Sequence, residues 1–384
     1  MQKRYMVLAA LAALSSATSI GPASAQPGTG TEAGAIVSSR VLAEAELIPE
    51  AAEGYRLVYR TTGQNGEPAV SGGTIYVPSG TPPADGWPVV SWAHGTSGMT
   101  QGCAPTLNGG MADTFDETPQ LSSYLAQGYA VEATDYIGLG APGTYEYLAG
   151  RAAGHAVLDI VRAGHALDAA LSKSFVAAGH SIGGQSALAA AQMWPSYAAE
   201  LDLRGTVAYA PTSNVEDVIA ALGRPGTPAL PSLDGLHARL VMILAGLDHA
   251  RPDVRVTDYV SPHGQRVLAI ARAGEECLGA LEAAVAGQPV GLLFSAPLAD
   301  PPLMAALRDY LSVPTTGHHR PVLLLQGAAD KVQPLPTTVL LHQQLQRGGA
   351  DSRLVLHPAA DHFTLLPTAA SDTQTFLAGV LPAH

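Results

Sequence analysis

One short motif constrains the fold more than any other part of the chain: Gly179-His180-Ser181-Ile182-Gly183, with Gly184 behind it. An apolar stretch, Phe175-Val176-Ala177-Ala178, precedes it, and a helical pattern runs from Ser181 to about Met193. G-x-S-x-G in that setting puts a serine on a sharp strand-to-helix turn with strained backbone. Side chains two residues to either side would collide with neighbouring elements, so glycine stands there. Such a turn presents the serine Oγ above a sheet, and the helix beginning there aims backbone N–H groups at developing negative charge. An ordinary glycine-rich turn is the bland reading of the same residues; strand and helix together favour Ser181 as a nucleophile.

The chain around the motif has a matching rhythm. Gly54–Thr62 and Ala69–Pro78, separated by Gln64-Asn65-Gly66-Glu67, predict an antiparallel hairpin. Pro88–Ala93 is a nearly continuous apolar run, as a buried strand requires. Then helices and strands alternate: a helix over Leu121–Gln127, a strand over Tyr129–Thr134, a helix over His155–Leu171, and a strand over Thr206–Ala210. This pattern predicts an α/β fold with a mostly parallel central sheet and helices on both faces. From Ser213 to about Thr316 the rhythm changes to short helical patterns rich in Ala, Leu and Pro, which reads as an inserted helical cap. Val322–Gln326 and Arg353–His357 resume the sheet, with Thr337–Gln346 and Ser371–Leu381 as helices. The expected organisation is residues 26–212 as the first part of the core, 213–316 as the cap, and 317–384 as the second part. Ile36–Ser39 and the polar residues after them read as a short tail before the fold.

A serine hydroxyl needs a base, and the base needs an orienting acid. In this architecture the order along the chain is serine, acid, histidine. Asp330 stands just past the run Val322–Gln326, and His362 follows the last strand, 32 residues later. Asp248 is the rival acid, after Leu240–Leu244, and His357 the rival base, though it sits at a strand's own end. His94, His155, His165 and His180 precede the serine. The adjacent His318 and His319 have no carboxylate or cysteine close in sequence, so no metal site is expected, and no cofactor. Donors for an oxyanion are expected from the N–H of Ile182 and from His94-Gly95-Thr96-Ser97-Gly98: Thr96 first, Gly95 second, with the Thr96 hydroxyl assisting.

The N-terminus bears on compartment. Lys3 and Arg4, the apolar run Tyr5–Leu14 and Ala23-Ser24-Ala25 before Gln26 read as a signal peptide over residues 1–25, cleaved after Ala25. The run is too short for a membrane-spanning helix of about 20 residues, so no stable membrane insertion is expected. Secretion or periplasmic export follows. The net charge of −12, which loses the cations Lys3 and Arg4 on cleavage, argues against nucleic-acid binding, which needs a basic footprint. The two cysteines, Cys103 and Cys277, lack zinc-ligand spacing and in an oxidising compartment suggest one disulfide. Oligomeric state is not legible.

These motifs together resemble the α/β-hydrolase superfamily and, within it, the secretory lipase family of fungal lipase A-like enzymes and their bacterial relatives. The resemblance is carried by His94-Gly95-Thr96-Ser97-Gly98, Cys103-Ala104-Pro105, Gly128-Tyr129-Ala130-Val131, Asp135-Tyr136-Ile137-Gly138-Leu139-Gly140, the glycine-flanked serine, Gly327–Asp330 and His362. It implies an α/β-hydrolase fold, the triad Ser181–Asp330–His362, a cap between the late strands, and a Cys103–Cys277 disulfide tying the oxyanion-side loop to that cap. The implied activity is hydrolysis of carboxylic esters, as a carboxylesterase or lipase acting on small-molecule or lipid esters. Leu292, Leu293 and Phe294 are expected to shape an acyl pocket. The alternative is a secreted serine peptidase of prolyl-aminopeptidase type, in which cap acids such as Glu275 and Glu276 would hold a free amino terminus. A non-catalytic binding protein would have lost a triad member, and this chain retains all three.

Overall fold

A computed structural model describes residues 31–107, 111–112, 115–229, 234–273 and 277–383. The expected signal peptide and the pair Glu275–Glu276 lie outside the described residues. The chain starts with strands β1 (Ile36–Val41), β2 (Ala51–Thr62), β3 (Pro68–Pro78) and β4 (Trp87–Ala93). A two-strand ribbon, β5 (Met111–Ala112) with β6 (Phe115–Asp116), leads into α1 (Thr118–Leu125). Alternation follows: β7 (Ala130–Ile137), α2 (Gly150–Leu167), β8 (Leu171–His180), α3 (Ile182–Tyr197) and β9 (Asp202–Tyr209). Five helices come next, α4 (Glu216–Leu222), α5 (Asp234–Ala250), α6 (Pro262–Ala273), α7 (Leu278–Val285) and α8 (Pro301–Leu311). The chain then returns to the sheet through β10 (Val322–Gly327), α9 (Leu335–Arg347) and β11 (Ser352–His357), ending in α10 (Leu365–Thr368) and α11 (Ala370–Val380).

Nine strands form one sheet in the order β1-β2-β3-β7-β4-β8-β9-β10-β11. The first three pair antiparallel, and β7 through β11 run parallel. The sheet is open, and its strands β4 and β10 are buried along their whole length, which is why their sequences are nearly continuous apolar runs. In β10, Leu323 and Leu325 pack with Leu121 and Tyr124 of α1 and Leu377 of α11. Their neighbours Val322 and Leu324 point the other way, against Leu188 of α3 and Leu341 and Leu345 of α9. Successive strand residues face opposite sides, so one apolar run serves two cores.

Two expectations need correction. Ile36–Val41 is no tail but an edge strand on β2; its mixed, partly exposed residues carry little hydrophobic signal because only one face is covered. The helix expected to reach Leu171 ends at Leu167, and Leu171 already begins β8. The Leu240–Leu244 run lies inside α5, so its apolarity reflects a helix buried on most sides.

Candidate active site

The parallel strands end on one edge, where the loops after β4, β8, β10 and β11 meet. Ser181 follows β8 directly, with φ 59° and ψ −118°, a conformation that an L-residue adopts only under constraint. The constraints are visible: its N–H donates to the carbonyl of Tyr209 at 2.8 Å, and its carbonyl accepts from the N–H of Thr212 at 3.1 Å. The flanking glycines are sterically required. A Cβ on Gly179 would stand 2.4 Å from the backbone of Gly183, and one on Gly183 would stand 1.8 Å from the carbonyl oxygen of Ala93.

Asp330 and His362 reach the same place from adjacent strands. β10 and β11 pair in parallel with Gly327 opposite His357, so the loops beyond them emerge side by side. His362 Nδ1 donates to Asp330 Oδ2 at 2.7 Å. Asp330 Oδ1 accepts the N–H groups of Val332 at 2.8 Å and Gln333 at 2.7 Å, and Gln326 Nε2 approaches Oδ2 at 3.4 Å. With Nδ1 committed to the carboxylate, Nε2 is the histidine's free nitrogen. Ser181 and His362 line one small cavity, and both are buried at 4% exposure. Burial holds the His362 imidazole down at about 4, the neighbouring His180 adds to that, and Asp330 opposes it.

The loop after β4 forms the opposite wall through Gly95 and Thr96. Tyr136 Oη donates to the carbonyl of His94 at 2.9 Å, and the Thr96 hydroxyl shares a hydrogen bond with Tyr147 Oη at 2.7 Å. The Gly95 N–H is already spent: it donates to Glu117 Oε1 at 2.9 Å. That corrects the choice of Gly95 as second oxyanion donor, since a donor bound to a buried carboxylate cannot also serve a substrate. The disulfide Cys103–Cys277 joins the segment beyond this loop to the start of α7, with Cα atoms 5.4 Å apart.

The rival residues lie elsewhere. Asp248 sits on α5 and pairs with Arg272 of α6 at 2.7 Å. His357 stands 3.5 Å from Asp372. His318 Nε2 hydrogen-bonds the Pro314 carbonyl, and among the described residues no group of three or more His, Cys, Asp or Glu side chains could hold a metal. Leu292, Leu293 and Phe294 do not line the cavity around Ser181; Leu292 is exposed and Phe294 bridges to Val260. The residues that do enter were not singled out: Glu117, Phe115, Phe363 and, from α5, Arg239, whose guanidinium bonds Glu282 at 3.0 Å. His180 was set aside as a base, yet its place inside the motif was the one available signal that it faces the site.

The family model described as "Secretory lipase" matches residues 110–379, most of the chain. The chain belongs to the secretory lipase family. A Mycobacterium tuberculosis protein named "Probable inactive lipase" is 26% identical over 375 residues, covering 90% of this chain and 77% of its own length. Among solved structures, Candida antarctica lipase A superposes with a TM-score of 0.74 at 21% identity, covering 91% of this chain and 83% of that one. The rice cell wall degrading esterase LipA of Xanthomonas oryzae gives 0.71 at 18% identity, covering 91% and 99%. These likenesses place this secretory lipase family member in the α/β-hydrolase fold. Among its described residues no helix is long and apolar enough to cross a membrane.

Proposed function

We propose that this chain is an exported serine hydrolase that cleaves carboxylic esters through an acyl-enzyme on Ser181. The observation that carries the reading is the 2.7 Å hydrogen bond from His362 to Asp330, beside a serine held on a strained elbow in the same cavity. His362 Nε2 takes the proton from Ser181 Oγ as the oxygen attacks the ester carbonyl. The tetrahedral oxyanion accepts from the N–H groups of Ile182 and Thr96, neither of which has another hydrogen-bond acceptor among the described residues. Collapse expels the alcohol, which receives the proton from His362. Water, deprotonated by the same nitrogen, then releases the acid and restores Ser181. Asp330 holds the imidazole in the tautomer that this sequence needs.

Residues 213–316 act as the cap in this reading. Arg239 brings α5 to the mouth of the site, and the disulfide fixes α7 beside the loop after β4. The related mycobacterial protein's name speaks of inactivity, but here all three proposed triad residues are present and converge. Export through a signal peptide cleaved after Ala25 is part of the proposal; N-terminal sequencing of protein recovered outside the cytoplasm should begin at Gln26. The activity is tested with p-nitrophenyl esters of graded acyl length beside a prolyl-amide substrate, on the full chain and on Ser181→Ala. Ester turnover that disappears in the variant is expected. Rapid amide cleavage with negligible ester turnover would move the assignment to a peptidase.

A further inference from the structure

A second imidazole–carboxylate pair lies against the first. Glu117, just ahead of α1, and His180, just ahead of Ser181, are both 2% exposed. Glu117 Oε1 accepts the N–H of Gly95 at 2.9 Å, and Oε2 accepts Trp92 Nε1 at 2.8 Å. His180 Nε2 donates to the carbonyl of His362 at 3.0 Å, and the two rings pack with centroids 4.5 Å apart. The pair closes on itself, with His180 Nδ1 standing 3.5 Å from Glu117 Oε1. Glu117 therefore grips the loop that carries Thr96, and His180 grips the loop that carries His362.

We propose that Glu117 and His180 form a positioning pair that couples the oxyanion loop to the catalytic histidine. A carbonyl only accepts, so His180 Nε2 carries a hydrogen. Among the described residues His180 Nδ1 has no hydrogen-bond partner, and it faces an oxygen that already takes the Gly95 N–H. The His180 ring stands tilted by 40° against the His362 ring and opposes charge on that imidazole, which keeps the base free at low pH. The other charged groups facing His362 are Asp330, Arg239 and the adjacent Asp361, and the Phe115 ring packs against His180 with centroids 5.3 Å apart. Neither member touches the reacting atoms; both act through the residues they hold.

The inference rests on the esterase reading, and the test separates the two. Full-length Ser181→Ala, His180→Leu, His180→Gln, Glu117→Gln and Trp92→Phe are assayed on p-nitrophenyl butyrate between pH 4 and 9. His180→Leu and Glu117→Gln should lower kcat by about ten- to hundredfold with little change in KM, as misplacement of catalytic groups does. His180→Gln, which keeps a donor towards the His362 carbonyl but no charge, should recover most of kcat while the acid limb of kcat/KM moves to higher pH. Trp92→Phe removes one hydrogen bond to Glu117 and should cost about threefold; it decides the matter if the bolder variants do not fold. Unchanged kcat and an unchanged acid limb in the folded variants, with Ser181→Ala inactive, would overturn the positioning pair alone. Full activity in Ser181→Ala would instead remove the esterase reading, and the pair's role with it.

Discussion

The two buried imidazole–carboxylate pairs use the same chemical groups side by side, with both imidazoles lining one cavity. In the first, Asp330 and His362 are 2.7 Å apart, the carboxylate is fixed by two backbone N–H groups, and the histidine keeps one nitrogen unbound. In the second, Glu117 and His180 are 3.5 Å apart, the carboxylate holds Gly95 and Trp92, and the outer histidine nitrogen is spent on a backbone carbonyl. The difference teaches that residue type does not assign the role. A pair whose histidine keeps Nε2 unbound can move a proton to and from substrate; a pair whose Nε2 is spent on a carbonyl and whose carboxylate is spent on Gly95 and Trp92 holds its neighbours in place.

The sharpest way to break the comparison is at Ser181, the serine that the first pair is proposed to serve. Ser181→Ala is expected to lower kcat on p-nitrophenyl esters by about 10⁵- to 10⁶-fold, in line with loss of a serine nucleophile elsewhere. A smaller loss would mean that the first pair activates something other than Ser181. Next in size is Asp330→Asn, expected to cost on the order of 10³- to 10⁴-fold by allowing the wrong tautomer of His362. Asp248→Asn, which only breaks a partly exposed pair with Arg272, should leave kcat within about twofold, because such pairs contribute little. Comparable losses in the two variants would leave the acid unassigned.

The disulfide sharpens the comparison from the other wall, because it anchors the chain just beyond Gly95 and Thr96. Replacing both Cys103 and Cys277 with serine opens a loop of 174 residues and should cost about 2–5 kcal/mol of stability, read by denaturant unfolding of the full chain. A cost near zero would show that α7 is held there by packing alone.

The smallest effect expected is in pH dependence. In the proposed mechanism His362 must be neutral to accept the serine proton, and burial beside His180 holds its imidazole at about 4, below the ordinary histidine value. The acid limb of kcat/KM should therefore fall as pH drops through about 4, with activity flat through the window where an ordinary histidine would already be losing it. A limb near pH 6.5 would show that the second pair exerts no such influence.

Much of the core was legible because strand ends and apolar runs are local signals. Phe175–Ala178 with its glycine-flanked serine, and Val322–Gln326 leading to Asp330, each announce themselves within a dozen residues. β1 was not legible, since an edge strand covered on one side has no continuous apolar run. Glu117 and Arg239 were equally silent. Each reads locally as a solvated charge; Glu117 is buried because the approach to α1 folds under the loop after β4, and Arg239 is half-buried because α5 brings it to the site.

The sequence by itself determined the elbow, the order serine–acid–histidine and the two cysteines available for a bridge, because these follow from local sterics, strand periodicity and composition. The tertiary structure alone decided which side chains enclose Ser181, that the Gly95 amide is spent on Glu117, and that His180 and Glu117 face the second half of the site. Those facts depend on contacts between segments tens to hundreds of residues apart. Such contacts arise only when sheet order and helix packing bring the loops together, and no local pattern encodes them.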